Sequence, residues 1–546
     1  MIDIQFGFTD VKAKQDSTPV ATDVQPWTSP AQLKSESPPT GHYATLEDDF
    51  FRLDGSLELF PDDPKPEQFG WWSNSMSDAA GAFAAPITLD IGFSQNHSSI
   101  GLTLVFEEIG NNYPSAFTVK WCASGTLLAE RAVRPDSWYC TVSQAVTDYN
   151  RITLTFTGTN RPYRYLKVRD LLFGIIKHFN DTTLTDVTCL EEIDPISATI
   201  SINTLDFELH SSDAEFSIVN PQGVYAYLQK RQPLTVTADS KPFGTFYLDD
   251  WEGEEGNLHK MSAIDAIGVM DATTFKGGIY VSVSAATLIA AIMTEVGIAY
   301  TLDSSLSAVP LTGYLPICSH RQALQQVAFA IGAVVDCSRT NLVNITPESS
   351  AAAIAVGPGR KIEGGKVKLR EYVTGVEVTE HSYIKSTEST ELFHDTLAAG
   401  ESEITFSEPC YELTVTGATI KSSGANYAVL TVATAGTVVL SGKRYVDTTR
   451  KVGYYAPSLP AGQAVNVKRV EQATLVSASN SAAVAKRVYD YYQRRMEQTF
   501  ELDLQSEVVG MPVAVTTEYS NTKIACVESL ETDLLSMLTK AVVAGA

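Results

Sequence analysis

Apolar and polar residues alternate with a period of two along most of the chain, and this pattern predicts a protein built mainly of β-strands. The first strand is predicted over residues 2–8, where every second residue is Ile or Phe. Four more alternating runs lie between residues 87 and 156, with turn residues between them. Short strands at this spacing indicate an antiparallel sandwich over residues 43–179. Residues 13–39 carry five prolines among Ser, Thr and charged residues, and they predict a loop or linker.

Three segments have the helical period instead, and each predicts one helix, over residues 284–297, 319–332 and 481–496. The second begins with Ser319 and Gln322 at capping-box spacing, and the first two end at glycine. Short strands around the first two helices indicate a small α/β unit. A closing helical stretch is also predicted around residues 530–540.

Charge narrows the classes of function. The chain has 546 residues, with 40 Lys and Arg against 64 Asp and Glu, and a formal charge of −24. Nucleic-acid binding and anionic membranes both need clustered basic residues, so this balance argues against both. No apolar run reaches the ~18 residues of a spanning helix, and the first residues lack the pattern of a secretory signal. We therefore expect a protein made in a cytoplasm without a membrane anchor.

Candidate catalytic chemistry is weak. The seven cysteines are scattered, and the sequence has no metal-binding or phosphate-loop motif. The acidic cluster 249–255 could supply a glycosidase carboxylate pair, but neighbours on one strand or turn diverge, so a solvated loop is favoured. Cys318 and His320 flank a helix N-terminus, where a thiol pKa is lowered, but adjacent residues rarely reach the geometry of a nucleophile and its base. The sequence predicts no catalytic residue, metal ligand or cofactor, and no enzyme.

Aromatic residues in the sandwich segment allow a sugar-binding interpretation, because aromatic faces stack on pyranose rings. The alternative is that they fill the core, and for Trp72 the core is favoured. For Trp138 and Tyr163, in turns next to prolines, core and binding loop stay equally open. The candidate glycan-binding set comprises Tyr113, Trp138, Arg161 and Tyr163.

Seven short stretches of the segment 43–174 carry a first resemblance to a known fold: Trp72-Ser73, Ile87 to Ile91, Gly101 to Phe106, Tyr113-Pro114, Arg151 to Phe156, Pro162-Tyr163-Arg164 and Phe173-Gly174. With these residues the segment resembles a discoidin-like, galactose-binding-type sandwich.

Three later stretches carry a second resemblance: Phe246-Tyr247-Leu248 through Trp251 to Asp265-Ala266-Ile267-Gly268; Arg321 to Ala328 followed by Val335-Asp336; and Ala485 to Tyr492 with Glu528 to Leu534. In this order they resemble the tail hub (baseplate hub or tail-tip) proteins of tailed phages and prophages of Gram-positive bacteria. None of the three is a catalytic motif, so the resemblance rests on their order.

The two resemblances imply a multidomain, mainly β protein with hub β-barrels, an inserted β-sandwich of jelly-roll or discoidin-like type and a small α/β domain. The implied domains are residues 1–40 (hub barrel I, first part), 41–180 (inserted sandwich), 181–275 (barrel I, second part), 276–350 (α/β domain), 351–386 (barrel II, first part), 387–470 (small β-module) and 471–546 (barrel II, second part, with helix 481–496).

The hub resemblance implies a homotrimer at the virion tail tip or baseplate, assembled in the cytoplasm of a bacterial host. Its implied partners are the tail tube, a distal tail or baseplate protein and the tape-measure protein, together with a host surface glycan for the sandwich. Genomic DNA would pass through without specific binding. A carbohydrate-binding adhesin is the main alternative, and a cell-wall glycosidase is a more distant one.

Overall fold

The computed structural model describes residues 2–35, 43–45, 47, 58–59, 69–210, 230–239, 241–254, 258–459, 461–516 and 521–545. These residues fold mainly into β-strands in several separate sheets, which confirms the fold class predicted from the period-two pattern. The chain divides into two compact units. The sandwich unit takes in residues 5–178, and the platform unit takes in most of the chain from residue 179 onward.

The elements up to residue 180 are, in chain order, β1 (Ile2–Thr9), α1 (Val11–Asp16), β2 (Thr18–Ala21), a 3-10 turn (Pro30–Lys34), β3 (Tyr43–Ala44), β4 (Glu58–Leu59), β5 (Trp71–Met76), β6 (Ala82–Val105), β7 (Pro114–Ala123), β8 (Thr126–Val133), β9 (Tyr139–Thr159), β10 (Tyr165–Val168), β11 (Asp170–Leu172) and β12 (Gly174–Asn180).

The sandwich unit is organised around a sheet in the order β11-β6-β9-β7-β8, and β10 pairs with β5 in a second, small sheet. The long strands β6 and β9 are antiparallel, with Leu89 opposite Leu154. Alternate residues of these strands point inward, and with Trp71 and Trp121 they form one buried core. The alternation seen in the sequence therefore places the core correctly.

Residues 13–35 differ from the loop expected there. Asp10 caps α1 by accepting a hydrogen bond from the backbone N–H of Ala13 at 3.0 Å. Strand β2 then pairs with β6, with Pro19 opposite Ile91. Ala13 and Leu33 are fully buried in the sandwich core. The loop prediction was wrong for β2 because it rested on the prolines. A central strand does not tolerate proline, but an edge strand such as β2 does.

The platform unit contains β13 (Leu184–Glu192), β14 (Thr204–His210), β15 (Pro233–Ala238), β16 (Lys241–Glu254), β17 (Leu258–Ile264), α2 (Ala266–Met270), β18 (Thr274–Phe275), β19 (Gly278–Ser284), α3 (Ala285–Val296), β20 (Tyr300–Leu302), α4 (Ser304–Ser307), β21 (Pro310–Leu315), β22 (Cys318–Ser319), α5 (His320–Ile331), β23 (Ala333–Asp336), β24 (Val343–Pro347), β25 (Ile354–Val356), a 3-10 turn (Pro358–Arg360), β26 (Lys361–Leu369), β27 (Gly375–Leu397), β28 (Gly400–Thr405), β29 (Cys410–Thr416), β30 (Thr419–Ser423), β31 (Tyr427–Val432), β32 (Gly436–Tyr455), β33 (Val467–Val470), α6 (Ser481–Tyr492), β34 (Met496–Asp503), β35 (Pro512–Thr516), β36 (Thr522–Asp533) and β37 (Leu538–Gly545).

The main sheet of the platform runs in the order β15-β16-β17-β14-β13-β36-β37-β34-β26, with β35 on β36 and β25 on β35. Its centre is the antiparallel pair of β13 and β36, from Thr188 opposite Asp533 to Glu192 opposite Ser529. The expectation of two separate barrels is corrected here, because no barrel closes among the described strands. Strands β13 to β17 were expected in one barrel, and β26 with β34 to β37 in the other. They form one open sheet because β13 pairs with β36.

The C-terminal helix expected around residues 530–540 is wrong. This stretch is the hairpin of β36 and β37, in which Leu530 lies opposite Ala541 and Thr532 opposite Thr539. The two threonine hydroxyls are buried and hydrogen-bonded at 3.0 Å. Leu530, Thr532 and Leu534 face inward with a period of two, and the polar threonine hid this alternation in the sequence.

The three other helices are confirmed. Ser284 caps α3, and Gly297 ends it with a left-handed backbone at φ 72°. Helix α5 has the expected capping box of Ser319 and Gln322. Helix α6 stops at Tyr492, short of the expected Met496, because Met496 already begins β34.

The strands β27 and β32 form a long antiparallel ribbon from Gly375 opposite Tyr455 to Leu397 opposite Gly436. The outer part of this ribbon belongs to a small all-β module with its own core, which includes Leu430 and Leu440. The buried side chain of Asn426 fixes the module to the α/β unit, because its Nδ2 donates to the carbonyls of Lys276 at 2.7 Å and of Leu315 at 2.9 Å.

Candidate binding surfaces

Two asparagines tie together the sandwich loops that carry the predicted glycan-binding residues. Asn111 has the left-handed backbone that asparagine tolerates, with φ 49°. Its Oδ1 accepts the backbone N–H of Trp138 at 3.0 Å, and its carbonyl accepts from Asn160 Nδ2 at 2.8 Å. Asn160 Oδ1 in turn accepts the backbone N–H of Tyr113 at 3.2 Å. The structure therefore brings the loops of Tyr113 and Trp138 together with the turn that contains Arg161.

The four candidate side chains differ in what they offer to a ligand. Trp138 and Tyr113 are half-buried and pack against the sandwich core. Arg161 is exposed, and its carbonyl accepts from the hydroxyl of Thr159 at 2.7 Å. Tyr163 is 51% exposed on a left-handed turn at φ 55°. Tyr163 and Arg161 are thus the two members of the set whose side chains face solvent.

The preference for Trp72 as a core residue agrees with its burial, and the tryptophan has an ionic neighbour that the sequence did not reveal. Trp72 is fully buried, and the ammonium of Lys167 lies 4.6 Å from the centre of its ring. Lys167 also pairs with the carboxylate of Glu47 at 2.5 Å, and both side chains are completely buried. Burial lowers the pKa of Lys167, and the charge of Glu47 opposes this change.

The described residues of the acidic cluster 249–255 lie along a single strand and not on two sides of a cleft. Residues up to 254 lie on β16, where Asp250 is opposite Ser262 and Trp251 is opposite Met261. Asp249 is the extra residue of a β-bulge between Leu248, opposite Ala263, and Asp250. Glu255 lies outside the described residues.

The alternative of a Cys318–His320 nucleophile is not supported by the local chemistry. Burial raises the pKa of Cys318 to about 11, which is the opposite of the activation that the helix N-terminus suggested. Ser319 caps α5, and its hydroxyl also donates to Asp271 at 2.8 Å. The buried ring of His320 packs against Phe275, with ring centres 5.6 Å apart.

The motif Asp265 to Gly268, one of those behind the tail-hub resemblance, joins the sheet to the α/β unit. Asp265 Oδ1 accepts from the backbone N–H of Gly268 at 2.9 Å, and Oδ2 accepts from that of Asn203 at 3.1 Å. A side chain at Gly268 would lie within 2.9 Å of Ile202 and Ile264. Burial raises the pKa of Asp265 from 3.8 to about 7. These residues therefore have structural roles.

The raised pKa of Asp265 predicts a pH-dependent stability. A carboxyl group whose folded pKa is about 7, against 3.8 ordinarily, is protonated in the fold at pH values where the unfolded chain has lost the proton. The stability contributed by this group therefore falls as the pH rises through that window. We expect wild type to gain about 1–2 kcal/mol from this group between about pH 7.5 and about pH 5.5. Asp265→Asn is expected to lack that gain, as measured by denaturant unfolding at both pH values, and an unchanged slope would contradict the assignment.

The other two motifs behind the resemblance also lie at junctions. Arg321 donates to the carbonyl of Ile200 at 2.8 Å and to Asp271 at 2.9 Å. Glu528 accepts from Arg370, and Tyr491 donates to the same carboxylate at 3.2 Å. The motifs thus hold the sheet, the α/β unit and α6 together.

A groove beside the edge strand β26 was not predicted from the sequence. It has a volume of about 430 Å³, and it lies between β26, β34 and the start of β36. Val367, Met496 and Phe500 line its apolar part, and Lys361 and Lys366 also line it. The signal in the sequence was the segment 361–369, which is rich in lysine and alternates weakly in a strongly acidic chain.

Two features are absent from the residues that the structure describes, a cluster of metal ligands and a membrane-spanning helix. No group of three or more His, Cys, Asp or Glu side chains in this part of the chain is placed to hold a metal ion. Within the same residues, no helix has both the length and the apolar character needed to cross a bilayer.

No family model matches the chain, and no curated protein matches it. Among solved structures, it is similar to the 43 kDa tail protein of prophage MuSo2 from Shewanella oneidensis, with 12% identity, coverage of 68% of this chain and 95% of that chain, and a TM-score of 0.41. It is also similar to prophage tail protein gp18 from Listeria monocytogenes, with 9% identity, coverage of 68% and 91%, and a TM-score of 0.40.

A third similarity covers 30% of this chain and 97% of chitosan-binding module 1 of a chitosanase/glucanase from Paenibacillus sp., with 13% identity and a TM-score of 0.19. The first two neighbours are tail proteins, the class that the sequence motifs indicate.

Proposed function

We propose that this chain is a structural, non-enzymatic subunit of the tail hub of a phage or phage-like particle, a homotrimer that closes the tail tube at the tail tip or baseplate. It contacts the tail tube, the tape-measure protein and a distal tail or baseplate protein. Genomic DNA passes through it without specific binding, and the charge of −24 suits this role because contacts that hold DNA need Lys and Arg.

The observation that carries this proposal is the pairing of β13 with β36. It joins strands from residues 184–264 to strands from residues 354–545 in one continuous sheet. In the proposed ring each of these two joined strand groups forms one segment of the wall, so three copies supply six segments. Six segments match the hexameric tail tube that the hub resemblance implies, and closed rings are the usual form of such assemblies.

The proposed position of the chain at the tail tip is tested by immunogold electron microscopy of tails, with antibodies raised against the purified chain. The proposal predicts gold at one end of the tail. Gold along the whole tail, or only on material without tails, would contradict it and favour the adhesin alternative. Clearing of a cell-wall suspension by the purified chain would favour the glycosidase alternative.

A finer proposal concerns the sandwich, whose loops would bind a host surface glycan through Tyr163 and Arg161. The exposed tyrosine on a turn next to loops fixed by Asn111 and Asn160 favours it. On a glycan array, Tyr163→Ala is expected to lower binding about tenfold or more. Tyr455→Ala is the matched control, because Tyr455 is also 51% exposed but lies in the platform unit. Equal binding by both variants, or none by wild type, would leave Tyr163 as an ordinary surface residue.

The sandwich is proposed to be an insertion that can be removed. Its entry and exit meet, because the backbone N–H of Asp10 donates to the carbonyl of Phe173 at 2.9 Å. Replacing residues 10–173 by a short Gly/Ser linker is expected to leave the platform soluble and folded, as measured by soluble yield and thermal melting. Deleting residues 43–179 instead should give insoluble protein, since it leaves the core residues Ala13 and Leu33 without their partners. The reverse outcome would show that the first boundary is wrong.

A further inference from the structure

A cleft lies between the α/β unit and the small β-module. Its volume is about 420 Å³, which is within the range of small-molecule sites. The start of β19, at residues 277–280, lines it from the α/β unit. From the β-module it is lined by residues 410–413 of β29, by residues 423–425 at the end of β30 and by Tyr445 of β32. All of these residues belong to the platform unit, so the cleft is a feature of one compact body.

The two walls of the cleft are held in fixed positions. Asn426 follows the lining residues 423–425 and is fully buried, and its side chain donates to the carbonyls of Lys276 and Leu315. The ammonium of Lys276 pairs with Glu403 at 2.7 Å. The same ammonium lies 4.1 Å from the centre of the Tyr427 ring. The cleft is therefore preformed, and a ligand that enters it loses little affinity to the ordering of the protein.

Hydroxyl groups are frequent in the lining, which includes Tyr280, Tyr411, Ser423 and Tyr445. Among the described residues, the hydroxyls of Tyr280 and Tyr445 have no hydrogen-bond partner. The Tyr280 hydroxyl lies 4.0 Å from the point where Gly278 would carry a Cβ, in space that is otherwise open. Burial raises the pKa of Tyr280 to about 12 and also raises the pKa of Tyr445, so both hydroxyls stay protonated. Each can donate to a ligand and accept from it.

Aromatic surface accompanies these hydroxyls. The ring centres of Tyr411 and Tyr445 are 5.0 Å apart. The hydroxyl of Tyr411 donates to the carbonyl of Ser386 at 2.5 Å, which fixes the ring. The carboxylate of Glu412, which also lines the cleft, is paired with the ammonium of Lys443 at 2.6 Å. Because the protein balances this charge, the lining favours an uncharged ligand with both hydroxyls and C–H surface.

Strand β29 is irregular where it meets the cleft. Its register against β32 shifts between Tyr411 and Thr414. Within this shift, Glu412 has a left-handed backbone with φ 49°. A residue other than glycine adopts this conformation at a cost, and bulges of this kind are common beside binding sites. The irregularity supports a binding role for the cleft.

We propose that this cleft binds a short neutral saccharide. The C–H face of a sugar ring packs on Tyr411 and Tyr445. The sugar hydroxyls exchange hydrogen bonds with Tyr280 and Ser423, which a hydrocarbon ligand could not do. A peptide with charged side chains would leave them without partners here. This saccharide site is separate from the sandwich loops, goes beyond the proposed function and does not rest on it.

A substitution that fills the cleft tests this inference in the full-length chain. Ser423→Trp places a large side chain in the cleft. Ser422→Trp is the matched control, because Ser422 is also exposed and is the next residue in the strand but does not line the cleft. Both variants also carry Tyr163→Ala, so that the sandwich loops do not contribute to the signal.

The probe is an array of neutral saccharides from bacterial surfaces. The Tyr163→Ala chain is expected to bind a subset of them. Ser423→Trp should lower this binding about tenfold or more, and Ser422→Trp should leave it unchanged. Equal binding by the two tryptophan variants, or no binding by the Tyr163→Ala chain, would overturn the inference. The proposed tail hub would be unaffected, because its test is the position of the chain on the tail.

A milder change removes only the two hydroxyls. Tyr280→Phe with Tyr445→Phe keeps both rings and breaks no hydrogen bond among the described residues, so the variant should fold. Its affinity for the same saccharide is expected to fall about tenfold. Tyr300→Phe is the matched control, because Tyr300 is half-buried on the same α/β core as Tyr280 but does not line the cleft. An unchanged affinity in the double variant would contradict the assignment, as would a cleft that binds peptides from a display library and no saccharide.

Discussion

Lys167→Met is expected to lower the free energy of unfolding of the sandwich unit by about 3–5 kcal/mol. The substitution leaves Glu47 completely buried without its cation, and it also removes the ammonium that lies 4.6 Å from the centre of the Trp72 ring. Five of the six tryptophans lie within residues 5–178, so tryptophan fluorescence during denaturant unfolding reports mainly on this unit.

The double variant Lys167→Met with Glu47→Gln separates the buried charge from lost packing. Glutamine stays neutral and keeps an oxygen to accept the backbone N–H of Tyr165, which Glu47 accepts at 2.9 Å. We expect it to recover more than half of the lost stability. Lys120→Met is the matched control, because its pair with Glu130 is nearly half exposed and should contribute less than about 1 kcal/mol. Equal losses for the two single variants would contradict the account.

Arg339→Met is expected to destabilise the platform unit by about 3–5 kcal/mol. Arg339 binds Glu191 through two nitrogens, at 3.0 Å and 2.8 Å, and Glu191 is 1% exposed on the central strand β13. Burial raises the pKa of Glu191, and the guanidinium opposes this change. Without Arg339 the carboxyl stays protonated in the fold to a higher pH, so the loss of stability should be larger at about pH 8 than at about pH 5.

Scanning calorimetry can assign these effects to the two units. Arg339→Met should lower the platform transition, whereas Lys167→Met should lower the sandwich transition. Arg339→Met with Glu191→Gln should remove the added pH dependence. The exposed pair of Arg444 and Glu408 supplies the control Arg444→Met, with an expected effect below about 1 kcal/mol. A loss that does not depend on pH would mean that packing over Phe243, 4.9 Å from the guanidinium, matters more than the charge.

Local signals in the sequence predicted local structure well. Ser284 and Ser319 fix helix starts, and Gly297 fixes a helix end, because capping depends on residues within one turn. The inward residues of β6 and β9 followed from period two. The same rule failed at residues 530–540, where Thr532 is buried against Thr539 and takes a position that sequence analysis expects to be apolar.

Long-range pairing could not be predicted in this way. Glu192 and Ser529 are more than 330 residues apart, and nothing local marks them as neighbours in the central strand pair. The burial of Lys167 could not be predicted either, because a lysine in a strand is expected to face solvent. For the candidate sites, the sequence identified the exposed Tyr163 but also proposed Trp138, which packs on the core.

We propose that three copies of this chain form a ring. Class averages of the purified chain by electron microscopy test it most directly. The account predicts rings with threefold symmetry, two wall segments per subunit and a central opening. Single particles without a ring, or twofold dimers, would contradict it.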